Sequence, residues 1–321
     1  MAETPDSPET LDDPRLYPSI LQYRHVLKEL EHHGIGSMDF CGTVKLHGTH
    51  ADILQSADGQ VTFQSRNRAL TAESDNMGFA AAMSRLDLGA LFAKVRARCP
   101  DAGAVMLCGE YCGGSIQKGV ALSKLDRMFV VFDIRVDGAW QDMRLHADVH
   151  DESQCVFNIL QFPTYDITVD VANPESASRR LVELTEAVEA RCPVGAHFGV
   201  EGIGEGIVWK PRDMHNRSRF WFKVKGGKHS VVRVRPKDIA ATDVLRMKDL
   251  DEFADRCVSE PRCQQAFQAV GRDVGAFLRW IGRDVAKEEA DTIEAHAWTP
   301  KAVNVALNER AKAWLRAQCY M

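Results

Sequence analysis

Apolar positions along the chain change period several times, and each change marks an expected element. Ile20, Tyr23, Leu27 and Leu30 are spaced three and four apart, which predicts a helix over 20–33 that stops at Gly34. From 39 to 68 the pattern is β. Segments 51–55 and 61–65 bracket Ala57-Asp58-Gly59-Gln60, a hairpin turn with Asp-Gly at its centre. Met83, Leu86, Leu91 and Val95 predict one helix over 79–98. An apolar strand over 104–108 runs into Gly109-Glu110-Tyr111 and a glycine-rich stretch ending at Gly119. A continuous strand follows over 129–136, with Asp133 among apolar neighbours, and a helix over 178–190 that caps the sheet. Strand-like runs return at 205–211 and 220–226. From 238 onward the spacing is helical, with helices expected over 244–257, 262–270, 274–288 and 301–318, punctuated by Pro261 and Pro300.

This order gives an α+β chain in three parts. Residues 1–18 form an acidic, proline-containing tail: positions 1–14 hold five acids, three prolines and no Lys or Arg, so the tail is expected to be disordered. Residues 19–236 form a domain of antiparallel β-sheets flanked by helices, and 237–321 a small all-helical domain. The length of 321 residues suits about two domains, and 45% hydrophobic residues suffice for a sizeable core.

The net charge of −5 hides a local excess. Residues 210–237 hold ten Lys or Arg against one acid, Asp213, with Trp209, Phe220, Trp221 and Phe222 close by. That is a local basic footprint; a charge run is usually a solvated face, but the alternation of Lys223 and Lys225 with apolar residues argues against simple solvation there. Residues 237–321 are near neutral, with thirteen bases against fourteen acids. The nine cysteines are scattered with no CxxC pair, which excludes zinc-finger and thioredoxin spacing and fits a reducing compartment. No apolar run is long enough to span a membrane, and no signal peptide is evident. The expectation is a soluble, intracellular, cytoplasmic monomer that does not engage a membrane.

The chemistry centres on Val44-Lys45-Leu46-His47-Gly48-Thr49-His50. A lysine followed three residues later by glycine, between strand-like segments, marks a candidate nucleophile, the glycine letting a triphosphate come close to the backbone. A lysine amine attacks only when deprotonated, so it needs positive charge around it. Lys210, Lys223 and Lys225 are candidates to supply that charge. In a strand, Lys223 and Lys225 project from the same face. Arg66 at a strand end suits a phosphate or carboxylate. Glu110 is a candidate acceptor for sugar hydroxyls, and Phe132 offers a face for a purine. A carboxylate at Asp133 needs a partner, so a purely structural pairing competes there with catalysis.

The ordered set Lys45-Leu46-His47-Gly48-Thr49, Gly109-Glu110-Tyr111, Val131-Phe132-Asp133-Ile134, Glu205-Gly206-Ile207-Val208-Trp209-Lys210 and Lys223-Val224-Lys225 resembles the covalent nucleotidyltransferases, specifically the RNA ligase 2 type of bacteriophages and the trypanosome RNA-editing ligases. The resemblance covers roughly residues 40–230; the helical tail is similar to that family's C-terminal domain only in length and class.

It implies an ATP-dependent RNA ligase that uses Mg2+ (or Mn2+). Lys45 would form a lysyl-adenylate, the adenylate would pass to an RNA 5′-phosphate, and a 3′-hydroxyl would displace AMP. Nicked duplex RNA is the implied substrate, in the cytoplasm or, for a phage-encoded chain, the host cytoplasm. By the same resemblance Val44 lies in the nucleotide site and His47 serves the phosphates. Arg66 meets ribose or the 5′-phosphate, Glu110 the ribose hydroxyls, and Phe132 stacks on adenine. Asp133 and Glu205 serve the later steps and are the candidates for metal, while Lys210, Lys223 and Lys225 hold phosphates. The family's asparagine after Gly-Thr is His50 here, which adds bulk and a titratable charge and bears on the later steps, pH dependence and end preference. DNA ligases and capping-type nucleotidyltransferases share the lysine motif but carry a β-rich domain where this chain reads as helical. A non-catalytic RNA-binding protein retaining the fold is the further alternative.

Overall fold

The computed structural model describes residues 17–18, 20–66, 68–114, 116–214, 216–226, 243–289, 293, 298–318 and 320. The junction expected at 236/237 and the basic stretch 227–237 lie outside the described residues.

The first half runs β1 (Leu21–Gln22), α1 (Tyr23–His32), β2 (Ser37–Lys45), β3 (Thr49–Gln55), β4 (Val61–Ser65), β5 (Ala69–Leu70), α2 (Phe79–Met83), α3 (Gly89–Arg96), β6 (Val105–Cys112) and β7 (Met128–Val136). It continues through β8 (Ala139–Trp140), β9 (Val156–Asn158), β10 (Thr164–Asp170), α4 (Pro174–Ala190), α5 (Pro193–His197), β11 (Gly206–Pro211) and β12 (Phe222–Lys225). Four helices complete the described chain: α6 (Asp243–Cys257), α7 (Glu260–Val270), α8 (Val274–Glu288) and α9 (Pro300–Ala317).

Two sheets result. One has the order β1-β12-β11-β2-β10, the other β5-β4-β3-β6-β7-β8, with β9 alongside β7. Pairing is antiparallel except for β1 with β12 and β7 with β9, which are parallel. β2 and β3 follow one another in sequence but belong to different sheets. The three-residue link between them, Leu46-His47-Gly48, therefore crosses from one sheet to the other and carries Lys45 to the cleft edge.

Each sheet buries one face against helices. Phe40, Val44, Ile207 and Trp209 of the first sheet pack with Val26 and Leu30 of α1 and with Leu181, Leu184 and Val188 of α4. Ile53, Val105, Leu107, Phe129 and Val131 of the second sheet pack with Phe79 and Met83 of α2 and Leu91, Phe92 and Val95 of α3. The C-terminal helices form their own core around Phe253, Phe277, Ile281 and Leu307. Non-directional burial of apolar area is the main stabilising term in each. The region after β12 is helical, so the β-rich domain of DNA ligases and capping enzymes is not what the described residues form.

Three expectations need correction. The helix over 79–98 is two helices, α2 and α3. Asp87 Oδ1 accepts the Gly89 amide at 3.0 Å and the Asp87 amide donates to Gln154 Oε1 at 2.7 Å, so a side-chain carboxylate replaces the helical acceptor and restarts the chain. The helix over 20–33 begins only at Tyr23, because Leu21 and Gln22 instead pair with Phe222 and Lys223. Tyr17, expected within the disordered tail, is only 6% exposed. Its ring lies 5.4 Å from Phe132 and 5.4 Å from Trp140, and its hydroxyl donates to Asp133. An aromatic ring with a polar tip gains both apolar burial and a hydrogen bond there.

The centre of the first sheet requires a glycine. Gly206 pairs with Lys45 on one side and Lys225 on the other. A Cβ there would meet the Val224 carbonyl oxygen at 2.1 Å and Lys225 Cα at 2.9 Å, both backbone atoms that cannot swing aside. Gly206→Ala is expected to lower stability by about 1–3 kcal/mol through overpacking, read as a lower urea midpoint at unchanged slope.

Candidate active site

Lys45 ends β2, and the register places it beside Gly206, with Lys225 on the far side of the same glycine. Two lysines are thus set one strand apart on either side of β11, whose preceding residue is Glu205. Glu205 is 4% exposed and receives all of them. Its Oε2 lies 2.9 Å from Lys45 Nζ and 3.1 Å from His47 Nδ1, and its Oε1 lies 3.5 Å from Lys225 Nζ. Burial works against the Glu205 charge, but Lys45, His47 and Lys225 outweigh it and hold the carboxyl well below the usual range.

Gly48 has a different role from the one its position in the motif implies. A Cβ at Gly48 would meet the Tyr111 carbonyl oxygen at 2.3 Å and Cys112 Cβ at 2.7 Å, so the glycine admits strand β6 rather than a phosphate. The Gly48 amide donates to Glu110 Oε1 at 2.8 Å, and Gln117 Nε2 donates to the Gly48 carbonyl at 3.3 Å. Glu110 itself pairs with His50 across β3 and β6. Burial raises the Glu110 pKa, against the opposing charges of Lys45 and His50.

These groups line one cavity of about 1240 Å³, together with Val44, Arg66, Phe132, Lys210, Lys223 and residues of the C-terminal helices. It is larger than a typical small-molecule pocket and has room for a nucleotide. Val44 is 3% exposed and belongs to the apolar core, so its side chain packs and only its place next to Lys45 brings it to the site. Lys223 lies opposite Val208 and shares the Lys225 face. Burial first, then the charges of Lys225 and Lys45, push its pKa down to about 8. For Lys225 burial acts in the same sense, but Glu289 and Glu205 outweigh it and raise the pKa.

Asp133 and Lys210 form a second centre. Both Asp133 oxygens lie 2.5 Å from Lys210 Nζ, and Tyr17 donates to one of them. Lys210 Nζ also sits 4.5 Å from the centre of the Trp221 ring. The charge of Lys210 is met locally, so it is a weaker source of field for Lys45 than its place in the sequence implies, and Asp133 has the structural pairing that competed with catalysis. Phe132 is half-buried, edge-on to Tyr17.

His50 lies between these centres, its ring 4.8 Å from Tyr17 and 5.7 Å from Phe132. Its Nε2 is 2.9 Å from Asp52 Oδ1, close enough for an ion pair, although the N–H is not aimed along a hydrogen bond. Burial opposes a charge on His50, but Asp52 outweighs it and raises the imidazole pKa, with Glu110 adding to the effect. Asp52 is fully buried, and its Oδ2 accepts from Gln64 Nε2 at 2.8 Å. Asp52, Gln64 and Tyr17 were not among the expected site residues. A buried carboxylate two positions after His50 in an apolar strand was the available signal for Asp52, while Tyr17 carried none.

Among the described residues no group of three or more His, Cys, Asp or Glu side chains is arranged to hold a metal ion. The two candidate ligands, Asp133 and Glu205, are each engaged by lysine. No helix among the described residues is long and apolar enough to cross a membrane.

A family model described as RNA ligase matches residues 38–225, more than half of the chain. Similar solved structures include the Naegleria gruberi RNA ligase with PPi, at 19% identity and a TM-score of 0.47, covering 71% of this chain and 62% of that one. Mutants of that ligase with AMP and Mn and with ATP and Mn are each 18% identical and cover 70% of this chain, with TM-scores of 0.47 and 0.46. The chain spans about 60% of the length of those two mutant chains. No curated protein matches it.

The pKa of Glu205 sets a pH test. Its folded value is depressed, so its stabilising effect is present above the ordinary carboxylate range and is lost as pH falls through the depressed value. Glu205→Gln is expected to be less stable than the native chain at pH 7 by about 1–3 kcal/mol, because part-buried Lys45 and His47 lose their carboxylate partner while Lys225 keeps Glu289. Urea titrations from pH 7 down to pH 3 should show the gap closing toward acid.

Proposed function

Because the chain belongs to the RNA ligase family, we propose that it is an ATP-dependent enzyme joining RNA 3′-hydroxyl and 5′-phosphate ends through lysyl-AMP and adenylated-RNA intermediates, at nicks in duplex RNA. The observation that supports this most directly is the placing of Lys45 on the cavity wall, held by Glu205 and set across Gly206 from Lys225.

In the first step the deprotonated Lys45 amine attacks the α-phosphorus of ATP. An N–P bond forms as the bond to pyrophosphate breaks. Little covalent work is left to the protein, so positioning and charge neutralisation dominate. Glu205, held as a weak base, keeps Lys45 Nζ at the strand end rather than carrying off its proton. Arg66, Lys223 and Lys225 meet phosphate oxygens, and His47 lies beside the departing pyrophosphate. Glu110, fixed by the Gly48 amide, takes a ribose hydroxyl, and the half-buried face of Phe132 takes the adenine. In the second step an oxygen of the RNA 5′-phosphate displaces Lys45 from the adenylate. In the third the 3′-hydroxyl oxygen attacks the adenylated 5′-phosphorus and gives up its proton as AMP leaves, which closes the strand. A divalent metal such as Mg2+ would neutralise phosphate charge. The described residues form no metal centre of their own, so no step is assigned to it.

The adduct is the first thing to measure. Intact mass after incubation with ATP and magnesium should rise by one adenylate in the native chain and not at all in Lys45→Ala. A native chain that forms no adduct with ATP, even after treatment with pyrophosphate to remove pre-bound AMP, overturns the reading. Lys225→Ala should weaken adenylation by about 2–3 kcal/mol, the worth of one charge-assisted contact, read in kcat/KM.

Lys223 gives the pH dependence. Its pKa near 8 means the free protein loses this charge as pH rises through 8. ATP favours the charged form, so binding takes up a proton and affinity falls above pH 8. Calorimetry in buffers of different ionisation enthalpy should show that uptake in the native chain and its loss in Lys223→Arg.

A further inference from the structure

Two of the three cations read above as phosphate-binding, Arg66 and Lys225, are already met by acids of the C-terminal helices. Arg66 Nη1 lies 2.5 Å from Glu288 Oε1, and Lys225 Nζ lies 3.2 Å from Glu289 Oε1. Glu288 ends α8 and Glu289 caps it. A third contact is neutral: Gln265 Nε2 of α7 donates at 3.2 Å to Thr49 Oγ1, two residues beyond His47. The acids and their cations are all largely shielded, at 19–25% side-chain exposure.

The position of the two acids is unfavourable by local rules. The C-terminal end of a helix carries negative partial charge from its unpaired carbonyls, so acids are disfavoured there and bases favoured. Two consecutive glutamates at the end of α8 gain only if a partner supplies positive charge. Across the cleft Arg66 and Lys225 do so. Lys223 and Arg262 add to it, and together these cations outweigh the burial of both carboxyls and lower their pKa values.

One cation cannot serve two anions at once without bringing the anions together. Lys225 already has Glu205 at 3.5 Å and Glu289 at 3.2 Å. A phosphate placed on the same ammonium would sit against two carboxylates in a low-dielectric cleft, where like charges repel strongly. Arg66 is likewise divided between Glu288 and the Pro18 carbonyl, at 3.4 Å from Nη2.

We propose that Glu288 and Glu289 are an internal stand-in for two phosphate groups, so that the C-terminal helices dock on Arg66 and Lys225 and are displaced when the triphosphate of a nucleotide enters. The proposal rests on the reading of Arg66 and Lys225 as phosphate-binding residues. Docking and phosphate binding then compete. The free enzyme is shielded from adventitious anions, and the face that Gln265 covers at Thr49 becomes available to RNA only after nucleotide has entered.

The test titrates the full-length chain with inorganic triphosphate, which binds the same cations without reacting, followed by isothermal calorimetry. Glu288→Gln with Glu289→Gln keeps shape and removes charge, and it should bind triphosphate about tenfold more tightly than the native chain. Gln265→Ala, which removes only the neutral contact, should tighten binding about two- to threefold and guards against a misfolded double variant. Small-angle scattering of the native chain should show a larger radius of gyration at saturating triphosphate. Unchanged or weaker binding in both variants, or a radius that triphosphate does not alter, overturns the proposal. Adenylate formation on Lys45 separates it from the ligase reading. Adduct without tightening leaves the ligase and removes the competition; tightening without adduct leaves the competition and removes the ligase.

Discussion

One buried carboxylate holds the site together. Glu205 lies at the point where two sheets and the Leu46-His47-Gly48 crossing meet, and it faces Lys45, His47 and Lys225 at once. A carboxylate at 4% exposure is costly to ionise by itself. Three cationic or cation-capable side chains around it reverse that cost. Lys45 and His47, both part-buried, would lose this carboxylate partner without Glu205, while Lys225 would keep Glu289. The groups of the cluster support one another, and together they fix Lys45 Nζ in space.

The backbone makes this convergence possible. β2 and β12 sit on either side of β11, and Gly206 is where they come closest to the site. At the other side of the cleft, Gly48 lets β6 pass against the crossing link and frees its amide for Glu110. Both glycines are spent on strand packing. Lys45, Glu110 and Lys225 lie on strands placed by that packing, and Glu205 is the residue immediately before β11, so rigid elements hold all four.

The rest of the site is balanced charge by charge. Lys210 is matched by Asp133, with Tyr17 as an added donor, and His50 is matched by Asp52. Arg66 and Lys225 are matched by the acids ending α8. A cleft that carries this many bases, unpaired, would repel itself. Pairing them internally offsets that repulsion.

The sequence by itself determined much of this. Period-two and helical spacing gave the hairpin of β3 and β4, the strands around Glu110, Asp133 and Lys225, and the helices of the C-terminal region within a few residues, because burial of one face is a local constraint written in each segment. The motif order grouped Lys45, Arg66, Glu110, Phe132, Asp133, Glu205, Lys210, Lys223 and Lys225, and all of these but Asp133 line one cavity. Tertiary structure decided what lies between segments. It split the helix at Asp87, whose capping carboxylate is a local contact that periodicity does not register. It drew Tyr17 out of an acidic tail into the cleft, since a single aromatic residue has no period to reveal it. It gave Gly48 and Gly206 to strand contacts, diverted Lys210 to Asp133, and set Glu288 and Glu289 on Arg66 and Lys225. Apart from the contact at Asp87, each of these depends on residues far apart in the chain coming within a few ångströms, and a partner's identity at that distance is fixed by packing geometry, not by neighbouring sequence.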